Sequence, residues 1–137
     1  MVIDVTEGLP FENDSIEEIR MEHFLEHPFY IQVEPLLREC WRVLRPEGEL
    51  AVEVPDILKI CKLLFEGKKS LAFCLAGIYG GYADTKIDVP QMHKWGWTAE
   101  TLKQIMEKVG FEITEVSEGR FPSHYPERDT FIRARKK

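Results

Sequence analysis

The sequence predicts one α/β domain, with a mostly parallel sheet, helices on both faces and an antiparallel hairpin at its end. Three observations predict it. Five short segments alternate apolar and polar residues or are β-branched, the pattern of strands, while four longer ones repeat apolar residues every three to four positions. Helical stretches separate the middle strands, as parallel pairing requires. No helical stretch separates the last two, so they should pair as an antiparallel edge.

Val2-Ile-Asp-Val5 is a β-branched run that ends at Thr6-Glu-Gly8, so it reads as a buried strand leaving into a loop. Ile16 to Glu22 places Ile19 and Met21 on one face and reads as a second strand. Ser15 and Glu18 also match a capping box, but no helical period follows them. From about Gln32 to Leu44 the apolar positions Val33, Leu36, Leu37, Cys40 and Leu44 take helical spacing, and Pro46 with Gly48 supplies the stop. Pro35 then has to fall in the first turn.

Glu49 to Pro55 turns Leu50, Val52 and Val54 to one side, a third strand. Asp56 caps a helix carrying Ile57, Ile60, Cys61 and Leu64 and ended by Gly67. Ser70 opens another, with Leu71, Cys74, Leu75 and Ile78, broken at Gly80-Gly81. Tyr82 to Gly96 has no period and is the candidate functional loop. Thr98 caps the last helix, whose Leu102, Ile105, Met106 and Val109 face inward before Gly110 closes it. Phe111 to Val116 and Thr130 to Arg135 are the final strands.

A length of 137 residues suits a single core. The net charge of −6 argues against a surface for nucleic acid, and Arg133-Ala-Arg-Lys-Lys137 reads as a solvated end. Cys40, Cys61 and Cys74 form no CxxC pair and read as reduced cysteines of a cytoplasmic protein. No apolar run approaches the ~20 residues needed to span a bilayer, so no membrane association is expected.

Four stretches carry a family signal: Asp4-Val-Thr-Glu-Gly-Leu-Pro-Phe11, His23-Phe-Leu-Glu-His27, Leu37 to Gly48 and Val52-Glu-Val-Pro-Asp56. They resemble the middle and second half of class I S-adenosylmethionine-dependent methyltransferases. The resemblance covers most of this chain but only the later part of that family's domain. It implies a partial Rossmann-like methyltransferase fold, truncated at the N-terminus relative to the family, acting on a small-molecule acceptor. The nine glycines include no GxG, so the glycine-rich turn that holds this cofactor in the family has no counterpart here. In Arg45-Pro-Glu-Gly48, Glu47 stands where the family has a glycine, leaving Gly48 to take the positive φ.

By the same resemblance Asp4 accepts from the adenine amino group, Leu9 and Phe11 lie near the ring, and His23, Phe24 and Leu25 face the cofactor cleft. Ile78-Tyr-Gly-Gly81 and His93-Lys-Trp-Gly-Trp97-Thr98 resemble a lid found in a subgroup. Tyr79 and Trp95, with Tyr82 and Trp97, would wall the acceptor, and His93 would serve as general base.

Plainer readings stand beside these. Asp4 starts a turn, Phe11 is core, His27 orients its turn and Trp97 packs against the last helix. His23, Glu26 and His27 match the H-x-x-E-H zinc-hydrolase pattern, but Pro28 biases His27 away from the helix that pattern needs, so no metal is expected. The competing function class is a non-catalytic interaction module that has lost cofactor binding. Both readings expect the second strand to lack its usual neighbour, leaving an edge for a second copy or a partner chain to cover.

Overall fold

The computed structural model describes residues 4–81, 91–121 and 125–137. A 3-10 turn at Val5–Glu7 precedes β1 (Ile16–Glu22), α1 (Tyr30–Val43), β2 (Leu44–Pro55), α2 (Ile57–Phe65), α3 (Leu71–Tyr79), α4 (Ala99–Val109), β3 (Phe111–Glu118) and β4 (Asp129–Lys136). Of the strand expected at Val2–Val5, residues 2 and 3 lie outside the described residues. Val5 belongs to the 3-10 turn.

The sheet runs β1-β2-β4-β3. Among the strands of the described residues only β1 and β2 pair in parallel, whereas β4 pairs antiparallel with both β2 and β3. The expectation of a mostly parallel sheet is therefore corrected to a mixed one. The reason is topological: β4 returns from its hairpin into the gap beside β2, so one reversed strand creates two antiparallel interfaces. β1 and β3 form the edges of this sheet among the described residues.

One face of the sheet offers Leu50, Val52, Val54, Ile132 and Ala134 to α1 and α4. Val33, Leu36, Leu37 and Cys40 of α1 meet Leu102, Ile105 and Met106 of α4 there, and Trp97 completes this core. α2 and α3 share a second small cluster of Ile60, Leu63 and Cys74. α1 starts two residues before the expected point because the Gln32 side chain reaches back to the Phe29 amide at 3.0 Å. Pro35 thus sits beyond the first turn.

β2 follows α1 without a loop, and its first residues pass through the Arg45-Pro46-Glu47-Gly48 turn. Glu47 itself adopts φ 64°, while Gly48 is the glycine of close approach: a Cβ there would stand 2.8 Å from the Arg45 carbonyl oxygen and 3.1 Å from that of Glu17. Gly48 therefore lets β1 and β2 meet, which corrects the expected division of roles.

Asp56 ends β2 as a double cap. Its Oδ1 accepts from the amides of Leu58 and Lys59 at 2.9 and 3.2 Å, and its Oδ2 accepts from Ala99 at 3.1 Å, joining the starts of α2 and α4. At the other end of the sheet, the buried Lys136 ammonium donates to Asp14 Oδ1 at 2.6 Å and to the Leu44 carbonyl at 2.8 Å, and lies 4.0 Å over the Trp41 ring.

Candidate functional site

Where β1 ends, His23 takes φ 49° and its amide donates to the Glu53 carbonyl at 2.9 Å. The chain turns there and aims the imidazole across the sheet end. Its Nε2 lies 3.3 Å from both Glu53 Oε1 and Asp129 Oδ2, and its Nδ1 lies 3.3 Å from Glu26 Oε1. Glu53 comes from near the end of β2 and Asp129 from the first position of β4, brought together because Pro55 pairs with Asp129 in the antiparallel register.

Burial would lower the affinity of His23 for a proton, but the carboxylates of Asp129 and Glu26 outweigh it and raise its pKa to about 9. Burial likewise opposes ionisation of Asp129, and His23 and Arg128 outweigh it, so that carboxyl titrates below its usual range. His23 is thus an imidazolium at neutral pH, itself the cation among these acids. Glu53 is further held by the Arg120 and Phe121 amides, which donate to Oε2 at 2.6 and 3.0 Å. Asp129 receives Arg128 Nε at 2.6 Å, Arg128 Nη2 at 3.1 Å and the Tyr125 amide at 3.2 Å.

Glu26 lies on the opposite side of His23 in different surroundings. Residues 23–27 form a turn, closed by the His27 amide donating to the Phe24 carbonyl at 3.0 Å, so the H-x-x-E-H residues do not share a helical face. The turn is tied to the 93–95 segment: the Lys94 amide donates to the Glu26 carbonyl at 2.8 Å, and Lys94 Nζ to the His27 carbonyl at 2.9 Å. The Glu26 side chain is 2% exposed, and neither of its oxygens has a hydrogen-bond partner of good geometry among the described residues. Its Oε1 stands 3.8 Å from His93 Nε2 and 4.0 Å from His27 Nε2.

His93 is fixed by α3. Its Nδ1 donates to the Gly77 carbonyl at 3.0 Å and its amide to the Tyr79 carbonyl at 3.2 Å. Gly80, at φ 92°, makes room for it, since a Cβ at that position would lie 2.8 Å from His93 Cδ2. A carbonyl can only accept, so the His93 proton is on Nδ1 and Nε2 carries a lone pair. Burial pushes the His93 pKa below the usual histidine value, the nearby Glu26 only partly opposing it. His23, Glu26, His27, His93 and Arg128 line an open cleft of about 390 Å³ with Gly80, Gly81 and Gln91.

The structure divides the site residues expected from sequence. His23 and His93 share the cleft just described. Leu9 and Phe24 share a different hollow of about 330 Å³ beside β1, with Val5, Ile19, Met21, Leu36 and Cys40. Asp4 and Phe11 line neither. The Leu25 side chain is fully buried in the core, and its carbonyl accepts from Trp97 Nε1 at 3.0 Å, so Trp97 packs as its plainer reading held.

Tyr79 is exposed at the end of α3. Trp95 stacks on Tyr30 at 4.5 Å and lines a groove between α1 and α4, apart from His93. Tyr82 lies outside the described residues. Sequence reasoning did not find Glu53, Asp129 or Arg128. The available signal was Glu53 between Val52 and Val54: a strand buried on both faces has no solvent side, so an acid within it needs a partner.

Residues 1–52 match a protein-family model described as the methyltransferase domain. The fold also matches solved structures. A SAM-dependent methyltransferase from Methanosarcina mazei is 19% identical with TM-score 0.66, covering 99% of this chain and 66% of its own. One from Archaeoglobus fulgidus is 18% identical with TM-score 0.67 and the same coverage. Burkholderia thailandensis 1,6-didemethyltoxoflavin-N1-methyltransferase, solved with S-adenosylhomocysteine, is 12% identical with TM-score 0.63, covering 98% of this chain and 49% of its own.

This chain thus spans just under two thirds, or less, of these proteins. Among curated protein sequences none matches. The fold and the N-terminal match agree with the resemblance read from sequence: this is a class I S-adenosylmethionine-dependent methyltransferase fold.

Proposed function

We propose that this methyltransferase-fold chain contributes to S-adenosylmethionine-dependent methyl transfer onto a small-molecule acceptor. The observation that carries the reading is the hollow beside β1. Its lining falls wholly within the family match, and Val5, Leu9, Ile19, Met21, Phe24, Leu36 and Cys40 suit the adenine ring. Arg20 and Glu22 at its rim are the polar groups within reach. The fit is partial, because the chain has no GxG turn to donate backbone amides to the rest of the cofactor.

When bound, the cofactor supplies a methyl group on a sulfonium, which needs orientation more than acid or base assistance. On this reading Leu9 and Phe24 seat the ring, and His93 offers Nε2 to take a proton from an acceptor in its own cleft. Isothermal calorimetry with S-adenosylmethionine and S-adenosylhomocysteine tests it. A saturable heat for each, weakened roughly tenfold or more in Leu9→Asp with an unchanged circular dichroism spectrum, is the expected result. Absence of heat with both compounds overturns it.

One observation favours a second reading, a non-catalytic interaction module. β1 is an edge strand among the described residues, and the same apolar hollow runs along it. A second copy or a partner chain pairing with β1 would cover both. Light scattering that returns a monomer at high concentration counts against self-association.

A further inference from the structure

We propose that Glu26, His27 and His93 form a binding site for a divalent transition-metal cation, zinc foremost. Each offers one donor atom, and the three donors lie within 4.8 Å of one another. Three features around one carboxylate point to a cation. Glu26 is a buried carboxylate whose two oxygens make no hydrogen bond of good geometry among the described residues, its one charged neighbour being His23 Nδ1 at 3.3 Å from Oε1.

The second feature is an acceptor facing an acceptor. The bond from His93 Nδ1 to the Gly77 carbonyl leaves a lone pair on Nε2, which lies 3.8 Å from Glu26 Oε1. That distance is too long for a shared proton, so both lone pairs are open to a cation placed between them. A backbone carbonyl on the far nitrogen of a histidine is also the arrangement that orients metal-binding imidazoles. The third feature is His27: its Nε2 lies 4.0 Å from Glu26 Oε1, while its buried Nδ1 has no partner among the described residues.

Two imidazoles and one carboxylate are a donor set for zinc and its first-row neighbours, not for magnesium or calcium. Donors at ~2.0–2.1 Å from a tetrahedral ion stand about 3.4 Å apart, so the carboxylate must approach the two rings by roughly half an ångström. The remaining coordination positions would face the 390 Å³ cleft, where a substrate oxygen or water could complete the shell.

The cluster of His23, Glu53 and Asp129, equally compact, is no rival site because the His23 imidazolium and backbone donors already satisfy its acids. The site does not depend on cofactor binding. It competes with the use of His93 as a base, since both need the same lone pair.

Untagged protein stripped with chelator, then titrated with Zn2+ by calorimetry and with Co2+ by visible absorption, provides the test. The expected result is one equivalent bound, a Co2+ spectrum of low-coordinate nitrogen and oxygen ligation, and a rise in melting temperature with added Zn2+. Glu26→Gln and His93→Gln should each weaken binding about a hundredfold. Glu26→Gln preserves side-chain size, so it decides the matter if His93→Gln fails to fold. No saturable binding, or binding unchanged in Glu26→Gln, overturns the proposal.

Discussion

Glu53 and Glu26 are both buried acids beside the same imidazole, and they are served in opposite ways. Glu53 receives two backbone amides and the His23 ring. Glu26 lies 3.3 Å from His23 on the other side and otherwise faces the His27 and His93 rings and a cleft. The first is wired into the backbone of the β3–β4 connection and holds the sheet end together. The second is held in place by its backbone carbonyl, through Lys94, while its side chain is left for something else. Burial alone therefore does not separate architecture from chemistry; the count of satisfied oxygens does.

The largest expected effect comes from the satisfied acid. Glu53→Ala should destabilise the fold by about 3–5 kcal/mol in urea unfolding, because it strands the Arg120 and Phe121 amides and removes one of the three acids around His23. A loss under ~1 kcal/mol would remove the distinction. Asp56 belongs with Glu53, as its carboxylate caps both α2 and α4. Asp56→Ala should cost about 2 kcal/mol, one typical cap for each helix, measured the same way.

Glu39 extends the comparison to the surface. Arg42 and the Leu9 amide hold its pKa down to about 2 against the slight opposing effect of burial. Because the folded value is depressed, the contribution of Glu39 is complete above pH ~4.5 and fades as the pH falls toward 2. Glu39→Gln should flatten the loss of stability across that window, read from melting temperature against pH. The smallest effect is the most telling: Glu26→Gln should leave stability within about 1 kcal/mol of the parent, since it removes a buried charge that lacks good partners. A loss as large as that of Glu53→Ala would show Glu26 to be architectural too.

Much of the fold was legible because local chemistry determined it. The caps at Asp56, Ser70 and Thr98 and the stops at Gly80 and Gly110 stand where the sequence placed them. The balance of parallel and antiparallel pairing was not legible, because it depends on where β4 inserts, and no residue of β4 encodes its neighbour locally. The site was half legible for a similar reason. The His23-to-His27 stretch and His93 stand out in sequence, but Glu53 and Asp129 look like ordinary acids until the β2–β4 register sets them beside one ring. Trp97 was legible as packing, and its bond to the Leu25 carbonyl explains why Leu25 turns into the core.

Lys136 closes the sheet from its last strand, with its ammonium over the Trp41 indole and its hydrogens on Asp14 and Leu44. A cation against an indole face perturbs the excited state of that ring. With Trp95 replaced and the emission of buried Trp97 as the constant background, Trp41 fluorescence is therefore a built-in optical gauge of whether the final strand has seated.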